Sequence, residues 1–206
     1  MCLALVKLPE AVLPIENIKA GWISNPDGGG FAYNKKGKIQ VVKGLMTLKE
    51  FGIAYDKAAK ANPAATFLVH FRIRTQGDRN EANTHPFEYN NMAMIHNGTI
   101  DGTGAKYGEG MSDTALFVAK FKDDLTLENL SKYKDELEQA LSYNKLGFLH
   151  GDGKHFILNE TVGTWDKGVW YSNSTYKPRS YYSPTADMLE DDDSDSLEAY
   201  YRGMEQ

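Results

Sequence analysis

The chain has 206 residues, of which 23 are lysine or arginine and 28 are aspartate or glutamate, so its formal net charge at pH 7 is −5. This length suits one domain with a full core, and the acidic balance argues against direct binding of nucleic acid, which needs a broad cationic surface. One cysteine cannot form an internal disulfide, and no apolar run reaches the length of a membrane span or signal-peptide core, so we expect a soluble, cytoplasmic protein without membrane contact.

The chain begins with a predicted strand, a loop and a hairpin. Residues 1–8, MCLALVKL, are apolar and branched, as in a strand that is buried in a sheet. Pro9 and Pro14 bracket the loop that follows. Strands at 31–33 and 39–42 flank a Lys-Gly turn, which predicts a hairpin.

Three helices are predicted further along the chain. Thr47 and Glu50 form a T-x-x-E capping box, followed by apolar residues at helical spacing until an Asn-Pro pair stops them. Ser112 and Thr126 can cap the second and third helices, and Gly147 is expected to end the helical region.

The remaining segments are predicted strands and a tail. ATFLVHFRIRT and MAMIHNGTI read as strands between the first and second helices, and a meander of strands follows the third helix. We therefore predict an α+β domain over residues 1–180. Residues 181–206 contain EDDDSDS and are predicted to form an acidic tail outside the core, either as a solubilising end or as a contact for a basic partner.

Cys2 is the candidate nucleophile. Removal of Met1 would leave a thiol and a free α-amine on one residue, with pKa values of about 8.5 and about 7.7 to 8.0, so the amine can accept the thiol proton near neutral pH. The alternative is a small buried residue in an apolar strand, since free cysteine is among the most buried residue types.

A second candidate is the polar face of the strand VHFRIRT. Strand alternation places His70, Arg72 and Arg74 on one face. This face is either a solvated side of the sheet or a place where a rigid arginine clamps a substrate carboxylate.

Two more polar motifs have double interpretations. Asn97 and Gly98 form either a hairpin turn or the donors of an oxyanion hole. Asp113 either gives a favourable negative charge to the first turn of a helix or holds a substrate ammonium.

Metal and phosphate sites are not expected. His85, His150 and His155 lack metal-ligand spacing, so we interpret them as structural or solvent-facing. NPDGGGF lacks the Gly-Lys-Ser/Thr of a phosphate loop and reads as a turn. We predict no metal and no cofactor.

In this order, MC, NPDGGGFAY, HFRIRTQG, NTHPF, IHNGTI and SDTALF resemble the glutaminase domain of the class II glutamine amidotransferases, a family of N-terminal nucleophile hydrolases, in its small stand-alone form. The motifs extend over residues 2–121, and GTWDKGVWYSNSTY resembles the closing strands of that domain. The resemblance implies a four-layer αββα sandwich.

The resemblance also implies catalytic roles for three residues. The thiol of Cys2 would attack the side-chain amide of glutamine, and Asn97 and Gly98 would form the oxyanion hole. Ammonia would leave from a thioester, and water would then release glutamate. A retained Met1 would block the α-amine and silence this mechanism.

Substrate binding would fall to three other residues. Arg72 would grip the α-carboxylate of glutamine with Thr75 beside it, and Asp113 would bind the α-amine. The chain departs from the family at Arg74 and Gln76, where an aromatic residue and a histidine are common.

A further departure is Ala115, where an acidic residue often follows SDT.

Three functions remain open at this point. The first is a glutaminase that supplies ammonia to a separate synthase, the second is a stand-alone hydrolase of γ-glutamyl amides, and the third is a non-catalytic protein that binds a basic partner through its acidic tail.

Overall fold

The structure is a computed structural model that describes residues 1–178. The predicted acidic tail and the last two residues of the predicted domain lie outside the described residues. Within these residues the strands and α-helices are, in chain order, β1 (Leu3–Lys7), α1 (Ile15–Ser24), β2 (Gly29–Lys35), β3 (Lys38–Leu45), α2 (Leu48–Ala61), β4 (Phe67–Phe71), β5 (Phe87–Tyr89), β6 (Met92–Asn97), α3 (Asp113–Phe121), α4 (Leu127–Lys132), α5 (Lys134–Leu141), β7 (Lys145–His150), β8 (His155–Leu158), β9 (Thr164–Asp166) and β10 (Val169–Tyr171).

The strands form two antiparallel sheets. The first has the order β3-β2-β4-β1-β10-β9, and the second has the order β5-β6-β7-β8. β1 lies in the interior of the first sheet, where Leu5 is opposite Val69 of β4 on one side and Tyr171 of β10 on the other. The N-terminal strand is therefore hydrogen-bonded along both edges.

Three apolar clusters separate four layers. Helices α1 and α2 cover the outer face of the first sheet, where the rings of Trp22 and Phe51 contact Phe71 at centroid distances of 5.9 and 4.7 Å. The two sheets face each other through a second cluster that includes Leu68 and Ile95. Helices α3 to α5 cover the outer face of the second sheet through a third cluster. The four-layer αββα fold predicted from the resemblance is confirmed.

The continuous apolar run of β1 follows from this layering. Leu3 and Leu5 point to the helices, whereas Ala4 and Val6 point to the second sheet, and all four are fully buried. Burying a leucine side chain contributes about 1.5 to 3 kcal/mol, so both faces of β1 stabilise its position.

The predicted helix starts are also observed. The side chain of Thr47 accepts from the backbone of Glu50, and the Glu50 carboxylate accepts from the backbone of Thr47 at 3.2 Å. Ser112 and Thr126 cap α3 and α4 through the backbone N–H groups of Ala115 and Asn129.

Helix α1 was not predicted. It follows Pro14, which is its N-cap, and buries Ile18, Gly21 and Trp22 against the first sheet. A Cβ atom at Gly21 would lie 2.8 Å from the Leu3 side chain, so the helix approaches β1 too closely for a larger residue.

The prediction that Gly147 ends the helical region is wrong. The last helix ends at Leu141, and Gly147 lies inside β7, opposite Ile95 of β6. A Cβ atom at Gly147 would lie 3.0 Å from the side chain of Ile95, so the residue allows close sheet packing and does not end a helix.

Strand β5 was also not predicted. None of the helices within residues 1–178 is long and apolar enough to cross a membrane.

Candidate active site

One pocket gathers residues from distant parts of the sequence. It lies where β1 begins, where β4 and β6 end and where α3 begins. Five of the six residues singled out from the sequence line it: Cys2, Arg72, Thr75, Gly98 and Asp113. The sixth, Asn97, is fully buried next to Gly98.

Cys2 precedes the first residue of β1. Its Sγ atom lies 3.4 Å from the carbonyl oxygen of Ile73, and its own carbonyl accepts from the Asn173 side chain at 2.8 Å. Burial raises the pKa of the thiol, although the hydrogen bond to Ile73 and the positive charges of the N-terminus and Arg72 act in the opposite direction. The thiol therefore needs a base to become a nucleophile.

Arg72 stands just beyond β4, which ends at Phe71. The side chain is only 2% exposed and donates from Nη1 to the Asp78 carbonyl at 2.7 Å and from Nη2 to the Gln76 carbonyl at 2.9 Å. These bonds use two of the five guanidinium N–H groups and fix the loop that follows the strand. The remaining donors are sufficient for a bidentate contact with a carboxylate.

The interpretation of this segment as a solvated strand face is wrong. His70 is fully buried between the sheets, where Nε2 lies 2.9 Å from the His96 carbonyl, and burial lowers its pKa to about 3. His70 is thus neutral and adds no positive charge. Arg74 lies outside the strand and is exposed, so the three residues do not share one face.

The Asn97-Gly98 pair does not form the turn of a hairpin. Asn97 is the last residue of β6 and lies opposite Lys145 of β7, and the chain then enters the long loop before α3. Gly98 has φ +151°, and a Cβ atom there would overlap Oδ1 of Asn144. The absence of a side chain leaves the backbone of Gly98 at the wall of the pocket.

Asp113 is the first residue of α3, and its carboxylate is held by backbone donors. Oδ2 accepts from Ile100 at 2.7 Å, and Oδ1 accepts from Thr114 at 2.8 Å. The residue is 6% exposed, and no lysine or arginine of residues 1–178 forms an ion pair with it. Its position suits the helix dipole and also leaves a buried negative charge at the pocket for a cation.

Two histidines of the pocket were not identified from the sequence as part of a site. His85 was expected to be structural or solvent-facing, but it lines the pocket at 3% exposure and stacks on His70 at a centroid distance of 3.9 Å. Burial lowers its pKa well below the usual value. His85 is the histidine of the NTHPF motif, so the motif was a signal for the site, although it assigned no role to the histidine.

His96 is fixed in one tautomer by its neighbours. Its Nε2 lies 2.8 Å from Oδ1 of Asn144, whose Nδ2 donates to the Leu141 carbonyl, so Nε2 carries the hydrogen. Nδ1 then accepts from the Thr114 hydroxyl at 2.8 Å. Burial lowers the pKa of His96, which makes it a neutral support behind Gly98.

The remaining expectations from the sequence concern a metal site and the histidines His150 and His155. Within residues 1–178, no cluster of three or more His, Cys, Asp or Glu side chains can hold a metal ion. His150 pairs with Asp152 at 2.9 Å, and His155 lies partly buried in β8. Neither is part of the pocket.

The fold is that of the N-terminal nucleophile hydrolases, and the chain resembles the glutaminase domain of the class II glutamine amidotransferases, as the sequence motifs predicted. Among curated proteins it is similar to glutamine–fructose-6-phosphate aminotransferase (isomerizing) of Agrobacterium fabrum, with 24% identity over 146 residues, 68% of this chain and 22% of the relative. Among solved structures it is similar to the B. subtilis glutamine phosphoribosylpyrophosphate amidotransferase in complex with ADP and GMP. That match has a TM-score of 0.52 and 15% identity and covers 84% of this chain and 42% of the other.

The chain thus spans about a fifth of the curated relative it matches and less than half of the solved chain. No protein-family model matches the sequence. The likeness establishes the fold, and the chemistry of this chain depends on its own residues.

Proposed function

We propose that the chain hydrolyses the side-chain amide of glutamine through a thioester on Cys2 and delivers the ammonia to a separate synthase. The observation that carries this proposal is the pairing of opposite charges in one pocket with a thiol. Arg72 offers guanidinium donors, and Asp113 offers a carboxylate that forms no ion pair within the described residues. A free amino acid carries a carboxylate and an ammonium on one carbon, so these two groups match its charged end.

The α-amine of Cys2 is the proposed base. Met1 is 72% exposed, so a peptidase can reach it, and its removal takes no side chain out of the core. The free amine has an ordinary pKa of about 7.7 to 8.0 and can accept the proton of a thiol whose own pKa is raised by burial.

The reaction then follows in two balanced halves. The sulfur forms a bond to the amide carbon, and the amide oxygen becomes an oxyanion held by Asn97 and the backbone N–H of Gly98. The carbon–nitrogen bond breaks, the nitrogen takes the proton from the ammonium of Cys2 and leaves as ammonia, and a thioester remains. Water, deprotonated by the same amine, attacks the thioester carbon. The carbon–sulfur bond then breaks, the sulfur takes the proton back from the ammonium, and glutamate leaves.

A separate acceptor is part of this proposal. Residues 1–178 form the two sheets, their covering helices and the connecting loops, and they do not include a second domain. The proposed acceptor of ammonia therefore lies outside these residues. Thr75 completes the proposed substrate contacts beside Arg72 at the pocket wall.

A stand-alone hydrolase of γ-glutamyl amides is the second candidate. It is supported by the residues at the rim, where Arg74 is exposed and Gln76 lines the pocket with a buried Oε1 atom that has no protein partner. Such an acceptor can bind an N–H group of a substrate larger than glutamine. The third function, binding of a basic partner by the acidic tail, falls on residues outside those described.

The test is a glutamate-release assay on protein whose intact mass shows the loss of Met1. We expect turnover of glutamine that is lost in Cys2→Ala. A matched control inserts one lysine between Met1 and Cys2, which keeps the thiol but retains the methionine and blocks the amine. It should fold normally and be inactive. Absence of turnover in correctly processed protein would refute the glutaminase, and faster hydrolysis of γ-glutamyl amides than of glutamine would favour the second candidate.

A further inference from the structure

Ser172 connects the nucleophile strand to the proposed oxyanion hole. It follows β10 directly, is 1% exposed and lies beside the start of β1. Its N–H donates to the Ala4 carbonyl at 2.9 Å, and its Oγ accepts from the Ala4 N–H at 2.9 Å. The same Oγ lies 2.8 Å from the side-chain amide of Asn97. One hydroxyl thus contacts both Ala4, two residues after the proposed nucleophile, and the amide of the proposed oxyanion hole.

The orientation of the Asn97 amide can be decided by counting donors and acceptors. With Nδ2 directed at Ser172, the hydroxyl oxygen accepts two hydrogen bonds, and Oδ1 of Asn97 is buried without a protein partner. A buried acceptor without a partner is unfavourable. The oxygen and nitrogen of an amide have nearly the same shape, so their placement is settled by the hydrogen bonds around them.

Rotation of the amide by half a turn satisfies the Ser172 hydroxyl and Oδ1 of Asn97. The Ser172 hydroxyl then accepts from Ala4 and donates its own hydrogen to Oδ1 of Asn97. Nδ2 moves to the place that has no protein acceptor. An N–H group there needs an acceptor, and the oxygen anion that forms during attack on an amide is one.

We propose that Ser172 is a positioning residue that orients the Asn97 amide so that its N–H, and not its oxygen, is presented to the oxyanion. This inference rests on the proposed function of the pocket. Asn173 supports the same end of the chain, since its Nδ2 donates to the Cys2 carbonyl at 2.8 Å. The two residues after β10 therefore fix the nucleophile and the amide relative to each other.

The kinetic test compares Ser172→Ala with Ser172→Thr and Asn97→Ala. Removing one oxyanion donor lowers turnover by about 10² to 10³-fold, and losing its orientation should cost part of this, about 10 to 10²-fold in kcat. KM for glutamine should stay within about threefold, because Ser172 does not contact the charged end of the substrate. Threonine keeps the hydroxyl and should restore kcat. The double variant with Asn97→Ala should be no slower than Asn97→Ala alone, since both changes remove the same contact.

A second readout separates positioning from a general structural role. Alkylation of Cys2 by iodoacetamide forms no oxyanion, so Ser172→Ala should react at the rate of the unchanged protein. Thr66→Ala is the matched control, because this buried hydroxyl lies before β4, at the opposite end of that strand from Arg72. Its loss should change neither the rate of alkylation nor the rate of glutamine turnover. Parallel losses of alkylation and turnover in Ser172→Ala, or additive effects with Asn97→Ala, would overturn the proposal.

A neutron structure of the unchanged protein tests the same inference without any activity. It should show the Ser172 hydroxyl deuterium directed at Oδ1 of Asn97. Deuterium on the Asn97 amide directed at Ser172 would refute the orientation, even if glutamine is hydrolysed. Conversely, an inactive protein with the expected deuterium positions would overturn the proposed function while leaving the assignment of the amide in place.

Discussion

Replacement of Gly98 by alanine is the sharpest perturbation of the pocket wall. The added Cβ atom would overlap Oδ1 of Asn144 and lie 3.0 Å from Nε2 of His96. Asn144 cannot move aside freely, because it donates to the Leu141 carbonyl at 2.7 Å and accepts from His96 at 2.8 Å. The substitution must therefore break this pair of hydrogen bonds or displace the backbone of Gly98.

The size of the effect follows from these contacts. Two partly buried hydrogen bonds contribute about 0.5 to 1.5 kcal/mol each. The backbone strain of a non-glycine residue at this φ costs about 1 to 3 kcal/mol. We expect the free energy of unfolding to fall by about 2 to 6 kcal/mol. If the backbone N–H of Gly98 stabilises the oxyanion, kcat should fall by about 10² to 10³-fold.

Urea unfolding and glutamate release measure the two quantities. Gly37→Ala is the control, because Gly37 also has a positive φ, +77°, but no atom lies within 4 Å of the position of its Cβ. It should lose only the strain energy, about 1 kcal/mol, and keep its activity. A Gly98→Ala protein as stable and as active as Gly37→Ala would refute the reasoning about both the overlap and the oxyanion.

Three further predictions concern charge, pH and the core. Asp113→Asn keeps the shape of the side chain but removes its charge, so KM for glutamine should rise by about 10 to 10²-fold with a smaller change in kcat; an unchanged KM would show that the carboxylate serves only the helix. The pKa values of His70 and His85 are lowered by burial, to about 3 for His70, so below pH 6.5 the unfolded state binds more protons than the folded state and stability is lost as the pH falls. Each histidine should contribute up to about 1.4 kcal/mol per pH unit, and His85→Phe should remove about one proton from the acid slope of urea unfolding; an identical slope would count against a neutral buried histidine. Phe51→Ala, fully buried between α2 and the first sheet, should lower the free energy of unfolding by about 3 to 5 kcal/mol, whereas Val12→Ala, 75% exposed, should change it by less than about 0.5 kcal/mol.

The elements predicted correctly from the sequence are those with local signals. The capping box at Thr47 and Glu50 lies within four residues, and the apolar run of β1 is continuous because both faces of the strand are covered. Helix α1 has no side-chain cap, and its polar Asn17 is buried against Tyr171, so its pattern lacks a clear start and a clean apolar face. An element is therefore predicted well where its own residues carry a complete pattern, such as a cap or an apolar run, and α1 carries neither.

The candidate site shows the same division. The resemblance of short motifs named six residues, and five of them line one pocket. Ser172 was missed because a serine after a strand has no local signature, and its contact with Asn97 joins residues 75 positions apart. His85 was placed among structural or solvent-facing residues because its spacing excludes a metal, yet its position at the pocket depends on stacking with His70. Contacts of this kind follow from the packing of the two sheets and not from any segment alone.

In the proposed reaction, removal of Met1 makes Cys2 the terminal residue, and a nucleophile at a chain end sets a physical problem that this fold solves. Chain ends fray unless they are tied down, and a frayed end cannot hold a nucleophile against a carbonyl carbon with the accuracy that catalysis needs. Here β1 begins one residue after Cys2 and is paired on one side with β4 and on the other with β10, while Asn173 holds the Cys2 carbonyl. Met1 lies outside this arrangement and is exposed. Its removal should therefore free the α-amine while leaving the hydrogen bonds that order the thiol, which is the combination that a terminal nucleophile requires.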